Sequence, residues 1–405
     1  MRIFRSAIYH TPDRDTLISY EDGGLAVESE TIAACDDYSL VRPLFPDAEV
    51  IDMRGGCILP GLVDTHTHFP QIRIMGGLGH SLLNWLEQLT LPEEARMADA
   101  AYARTIAGEF TEALAANGTT TALVFGAHFD DATRALFDAA SAKGLRVISG
   151  LVLSDRYLRP DLLQIPEAAY RESQSLIESI GGNARLGYAV IPRFALSSSE
   201  GMLDVCRTLL RENPDALFTT HINENATEIE EVAKYFPHAA DYLDVYERCD
   251  LISNRSVLAH NVHTTDSQLT RLAKSGASIA HCPSSNAALG SGTFPMKRHL
   301  RHNVKFALGT DIGAGIGFSV LKEALQAHLF QRVAPDPLNV TPAQMLYLAT
   351  RAGAEALNLS HKIGDFSPGK SADFVWSGCS QLPKVFLDPA IREVYIEGEK
   401  IHDNG

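Results

Sequence analysis

Eight short apolar segments, each turning polar in its last residues, constrain this chain more than any other feature. They are CILPGLVDTHTH from residue 57, TTTALVFG from 119, LRVISGLVLSD from 145 and RLGYAVIPRF from 185, then ALFTTHINEN from 216, SVLAHNVH from 256, ASIAHCPSSN from 277 and VKFALGTDIG from 304. A near-continuous apolar run suits a strand buried on both faces, as parallel strands are when crossover helices cover their sheet. Polar residues confined to the strand ends suit a barrel whose C-terminal rim carries the chemistry. Helical patterns lie between the segments. ADAAYARTIAGEFTEALAAN and DDATRALFDAASAKG end at Gly118 and Gly144, where glycine closes a helix, and TPAQMLYLATRAGAEALN reads as another. The expected fold is α/β, a (β/α)8 TIM barrel.

The two ends follow a different rhythm. LISYEDGGLAVES near the start, SADFVWSG from 371 and EVYIEGEKI near the end read as short strands separated by turns. The expected organisation is a small β-sandwich domain formed by both termini, residues 1–57 and 364–405, with the barrel over 58–363 between them. The alternative is that the ends merely decorate the barrel. No internal repeat, low-complexity tract or long linker interrupts the chain.

With 405 residues, 45% of them hydrophobic, the chain can build a core of that size. Its 35 Lys and Arg against 50 Asp and Glu, a net charge of −15, oppose non-specific binding to nucleic acid or to an anionic membrane. A small-molecule substrate is the expected partner, and no apolar run approaches the length of a membrane span. The six cysteines have no CxxC spacing, and the start MRIFRSAIYH is not a charged region leading into an apolar one. A reduced, cytoplasmic protein is expected.

Metal-ligating residue types gather at the strand ends: His66 and His68 in one HTH triplet, then His221, His260 and Asp311. Alternating histidines point to one face of a strand and give a cation two imidazoles at a workable spacing. A lone HxH is often incidental, and a lone strand-end histidine such as His221 is commonly a satisfied core or surface residue. Five such side chains on one rim point instead to a metal-dependent hydrolase. Asp311 could bind the metal and take a proton from water; its ordinary alternative is capping a helix. His260 could be a further ligand or could orient the water.

ILPGLVDTHTH, HINEN, LAHNVH, IAHCPSSN, LGTDIG and IGDFSPGKSADFV resemble the amidohydrolase superfamily. Within it, HTHFPQ at 66–71, PRFALS at 192–197, HINEN at 221–225, SSNAALGSGTF from 284 and GTDIGAG from 309 resemble the guanine deaminases, over essentially all of the barrel. The HxH and GTD elements are specific only to the superfamily, whereas FPQ and PRF point toward guanine. The resemblance implies a homodimeric hydrolase of cyclic amidines, converting guanine to xanthine and ammonia in purine catabolism and salvage. It implies one Zn2+ per subunit, held by His66, His68, His221, His260 and Asp311. Two-metal relatives carry a modified lysine at the end of the fourth strand; Arg193 stands there here, which argues for one metal. Imidazoles and a carboxylate suit zinc best, with iron and manganese still open.

In that reading Glu224, three residues past His221, is the mobile shuttle that protonates a ring nitrogen and then the leaving amine, with Asp311 and His260 completing the catalytic set. Its ordinary alternative is a favourable charge at the start of ATEIEEVAKYF. Arg193 offers a fork of donors to a carbonyl and adjacent ring nitrogen, and Gln71 an amide to the purine edge. Phe194 could stack on the base or fill the barrel top, while Trp85 reads as core. His68, His221, Glu224 and Asp311 are expected to contact the substrate as well. Cys282 reads as a small buried residue, with His281 and Asn286 shaping the pocket and Gly290, Ser291 and Gly292 a tight loop over it.

Three other readings compete. A sibling deaminase of a pterin, 8-oxoguanine or a triazine would keep the metal set and change the pocket. Ring opening in the manner of hydantoinases is opposed by the missing lysine. A silent scaffold on the same fold would be expected to have lost ligands. The segment after SADFV is shorter than guanine deaminases usually carry, which bears on the β domain and subunit contacts rather than on the matched catalytic residues.

Overall fold

The computed structural model describes residues 1–404 and arranges the eight expected strands side by side in one parallel sheet. In hydrogen-bonding order these are β1 (Leu62–His68), β2 (Thr119–Phe125), β3 (Arg146–Gly150), β4 (Leu186–Pro192), β5 (Leu217–Ile222), β6 (Ser256–His260), β7 (Ser278–His281) and β8 (Lys305–Leu308). Each strand neighbours the next in sequence, as right-handed crossovers through intervening helices produce. β8 comes back to β1 through bonds at the rim: Thr65 Oγ1 donates to the Leu308 carbonyl at 2.8 Å and the Asp311 N–H to the His66 carbonyl at 2.9 Å. The result is a near-closed TIM barrel.

All residues of β1, β2, β3, β5, β6 and β7 are buried, which is why their sequences lack the alternation of a half-exposed strand. Val63, Leu123, Ile148, Ile191, Leu217 and Val257 belong to one apolar cluster that fills the barrel interior below the rim. Asp99 caps the helix Ala100–Ala116 through the N–H groups of Ala101 and Tyr102, and Gly144, at φ +82°, closes Asp130–Lys143.

Three expected elements are divided, the run LRVISGLVLSD giving β3 and a separate short strand Val152–Leu153 that also pairs with β4. The apolar run from Cys57 serves two sheets: Cys57 to Pro60 end the strand Glu49–Pro60, which pairs antiparallel with Phe374–Ser377, and β1 starts only at Leu62. Gly61 makes the crossing, because a Cβ there would lie 2.2 Å from Thr120 Oγ1. Hydrophobic period cannot separate two buried strands laid end to end. The stretch 341–358 forms Pro342–Ala349 and Arg351–Ala356, broken at Thr350 (φ −132°, ψ −85°). There the Thr350 hydroxyl bonds the Leu346 carbonyl at 2.7 Å, and the second helix presses Gly353 against Val63 of β1.

The termini join in a seven-stranded sheet, ordered Glu399–Asp403, Ile391–Ile396, Phe374–Ser377, Glu49–Pro60, Arg2–His10, Ile18–Glu28 and Thr31–Asp37. Phe374 stacks on Tyr395 at 4.3 Å and meets Phe4 edge-on at 4.8 Å in its core. Beneath the barrel, Arg146 at the start of β3 pairs with Asp373 at 3.3 Å, both side chains buried. All six cysteines are free thiols, and among the described residues no helix is long and apolar enough to cross a membrane.

Candidate metal centre and substrate pocket

β1 delivers His66 and His68, β5 His221, and the turn after β8 Asp311; one ligand atom from each lies within 4.8 Å of all the others. His66 Nε2 and His68 Nε2 are 3.2 Å apart, and each is 3.3 Å from Asp311 Oδ1. His221 Nδ1 donates to the Arg193 carbonyl at 2.6 Å, so its Nε2 lone pair is free to face the group. Burial pushes His66 down to about 3 and His221 well below the usual imidazole range, so both are neutral. Burial alone would raise Asp311, but hydrogen bonds to His66 and His68 hold it well below the usual carboxylate range. Imidazoles around one ionised carboxylate are the donor set a divalent cation takes, and the group fits such an ion.

The backbone aims these side chains. His260 and Asp311 have φ of +71° and +49°, left-handed turns at the ends of their strands that non-glycine residues adopt only where surroundings compel them. Asp64 is the compelling group for two ligands: it accepts from the Thr310 N–H at 3.0 Å, the Thr310 hydroxyl, and the His66 N–H at 3.1 Å. It thereby ties the His66 strand to the Asp311 turn. Burial lifts Asp64 to about 7. Asp311 caps no helix; the next begins at Val320 with Ser319 as its cap.

His260 stands beside the four-residue group. Its Nδ1 meets Asn286 Oδ1 at 3.0 Å, which turns Nε2 toward Glu224 Oε2 at 3.4 Å and Asp311 Oδ2 at 4.0 Å. Cys282 points its thiol at the Ala280 carbonyl, and burial raises it well above the ordinary thiol range, so it stays protonated.

Glu224 is not a helix-start charge. The helix Ala226–Tyr235 is capped by Asn225 and Glu228, and Glu228 also accepts from the Glu224 N–H at 3.1 Å and from Tyr242 at 2.7 Å. With capping assigned to Glu228, the Glu224 carboxyl turns into the pocket, where Ser291 donates to it at 3.3 Å. Burial first, and the Asp311 charge second, lift Glu224 to about 8. A carboxyl that is protonated near neutral pH can give a proton and take it back.

The opposite wall centres on a residue the sequence does not single out. Glu94, in the helix Leu91–Ala95, accepts from Gln71 Nε2 at 2.8 Å and from Arg193 Nη2 at 3.0 Å on the same oxygen. Arg193 Nε reaches its second oxygen at 3.3 Å. Burial would raise Glu94, but Arg193, aided by His128, holds it near 2. In LTLPEEA the two acids look like ordinary first-turn charges, and no local signal separates Glu94 from its neighbour.

His68, Gln71, Arg193, Phe194, His221, Glu224, His260 and Asp311 line one pocket, with His66 buried beneath its floor. Trp85, Leu82 and Leu86 close its side, so Trp85 packs in the core and borders the pocket at once. Leu289, on the loop before Gly290, adds another apolar wall.

Residues 57–401 match the amidohydrolase family. A probable guanine deaminase of Deinococcus radiodurans is 56% identical over 387 residues, covering 93% of this chain and 88% of that protein. The guanine deaminase of Escherichia coli is 41% identical over 404 residues, covering 95% and 92%. A solved E. coli guanine deaminase superposes with a TM-score of 0.95 over 100% of both chains at 35% identity. A guanine deaminase from C. acetobutylicum, with guanine bound in its active site, superposes with a TM-score of 0.93 at 25% identity, covering 99% of this chain and 100% of that one.

Proposed function

The chain belongs to the amidohydrolase family and, within it, to the guanine deaminases, and from that membership we propose how its site acts. The reaction is hydrolysis of the C2 amino group of guanine, giving xanthine and ammonia. The observation that carries the reading is a single pocket lined by Glu224, Asp311 and three imidazoles together with Gln71 and Arg193.

His66, His68, His221 and Asp311 would hold the metal, and three imidazoles with one carboxylate favour zinc. When bound, such an ion supplies the Lewis acidity that makes water a nucleophile near neutral pH. Asp311 takes a proton from the attacking water as its oxygen bonds to C2. His260, between the carboxylates of Glu224 and Asp311, orients that water. Glu224 enters protonated and gives its proton to the ring nitrogen beside C2. It then takes the proton of the new C2 hydroxyl and hands it to the amine, so that the C2 carbonyl forms, the C2–N bond breaks and ammonia leaves, and the proton held by Asp311 returns to Glu224 to restore both carboxyls. Arg193 donates to the base carbonyl, Gln71 meets the neighbouring ring position, and Phe194 packs against the ring. Six cysteines without CxxC spacing support a reducing cytoplasmic setting, and the resemblance supports a homodimer and a place in purine catabolism.

The test is ammonia release by the metal-loaded protein from guanine, with adenine, cytosine, a pterin and 8-oxoguanine beside it. Release from guanine alone, lost on chelation and restored by metal, is expected. Release from another base instead would overturn the reading of the pocket; silence on all of them with metal bound would overturn the deaminase assignment.

A further inference from the structure

We infer that Glu94 is a positioning residue that sets the hydrogen-bond polarity of the substrate-reading wall. By taking the donor end of the Gln71 amide, it leaves only the acceptor end for the base. The inference rests on the guanine deaminase reading above and deepens it.

An amide side chain is ambivalent, one end donating and the other accepting, and in a pocket it can turn over to suit either kind of ligand. An ionised carboxylate is not ambivalent, because it only accepts. Glu94 is 5% exposed and is held ionised by the Arg193 guanidinium. Gln71 Nε2 must therefore point to it, at 2.8 Å. Gln71 Oε1 is left buried with no partner among the described residues, on a side chain that lines the pocket. A buried acceptor without a partner is costly unless a ligand supplies a donor. Gly313 leaves that oxygen its room: a Cβ at this position, where φ is +116°, would lie 2.1 Å from it.

Arg193 is pinned to the same carboxylate oxygen, so the wall presents donors from arginine beside one acceptor from glutamine. The complementary ligand edge is a carbonyl next to a ring N–H. Guanine carries that pair at C6 and N1, adjacent to the carbon that loses its amine. 2-Aminopurine keeps the amine at C2 but has a lone pair at N1 and no oxygen at C6, so against this wall it sets acceptor against acceptor. A site whose buried polar groups match one edge rejects the mismatched base strongly.

The test compares kcat/KM for guanine and 2-aminopurine in the wild type, Glu94→Gln and Glu94→Asp, with the 2-aminopurine inhibition constant used where turnover is too slow. With glutamine at 94, its oxygen can keep Arg193 Nε while its amide nitrogen, replacing the shared oxygen, gives up Arg193 Nη2 and donates to Gln71 Oε1, which lets Gln71 Nε2 turn to the pocket. The preference for guanine is expected to fall at least about tenfold, mainly through KM. Glu94→Asp, still only an acceptor, is expected to keep the preference even if its rate falls. The preference is a ratio within one preparation, so partial unfolding does not move it. If Glu94→Gln does not fold, Gln71→Met leaves the Glu94–Arg193 pair intact and is expected to lose the preference as well. An unchanged preference in Glu94→Gln, its retention in Gln71→Met, or its equal loss in Glu94→Asp would overturn the inference. A wild type that releases no ammonia from guanine would instead overturn the reading beneath it.

Discussion

The two walls of the pocket are held by different means. His66, His68, His221 and His260 end barrel strands, and Asp311 follows one; each is aimed by backbone or by a short bond to the next strand. Gln71, Glu94 and Arg193 come from a turn after β1, a five-residue helix and the residue after β4, and are held by one another through a buried ion pair 99 residues apart in sequence. The first wall inherits the rigidity of the barrel. The second depends on a carboxylate and a guanidinium that are stable only as a pair.

The largest effect should come from breaking the first wall. Asp311→Ala is expected to abolish turnover and lower bound metal, with atomic absorption and ammonia release as the paired readouts; full activity at normal metal content would refute the ligand role. Glu224→Gln is expected to cut kcat by roughly 10²–10⁴ while metal content and guanine binding stay near wild type, since Glu224 belongs to the chemistry rather than to the metal group. Weakened metal binding would move it into that group.

Arg193→Ala breaks the second wall. It leaves Glu94 buried and unpaired, so a stability loss of roughly 3–5 kcal/mol is expected together with a raised KM for guanine. Adding Glu94→Ala should recover much of the stability and none of the affinity; denaturant melts and initial rates separate the two. Arg146→Met, at the opposite end of the barrel, strands Asp373 in the same way. It should lower the melting temperature yet leave kcat and KM as they were, and a changed KM would mean that the barrel ends are coupled.

The smallest effect is on pH dependence away from both walls. Burial pushes His10 and His299 down to about 4. Between about 6.5 and 4 the unfolded chain takes up protons that the folded chain refuses, so stability is full above 6.5 and declines as pH falls through that window. His10→Asn or His299→Asn should flatten the slope between those values; an unaltered slope would assign the decline to other groups.

Much of the first wall is legible in the chain because a strand-end histidine lies beside the apolar run that positions it. Asp64, which no motif singles out, carries a signal of the same kind, a lone carboxylate inside a buried strand that needs partners, but nothing in the sequence names Thr310 as that partner. Glu224 is ambiguous in the sequence, because only the fold shows that Glu228 does the helix capping. Glu94 was invisible, because its local setting is that of an ordinary helix start and its partners come from two other segments. The division at Gly61 and the break at Thr350 were hidden for a related reason: each depends on a neighbour, Thr120 or Val63, that arrives only on folding.

What the chain alone determined is the set of eight strands and the residue types on their rim, because period and position along a strand are local properties. Only the tertiary structure decided which atom of each side chain faces the pocket. The free nitrogen of His221, the direction of His260 and the unpaired end of the Gln71 amide are each chosen by a partner on another element. A neutral histidine or a glutamine carries both a donor and an acceptor, and the choice between them is made where remote groups meet out of water.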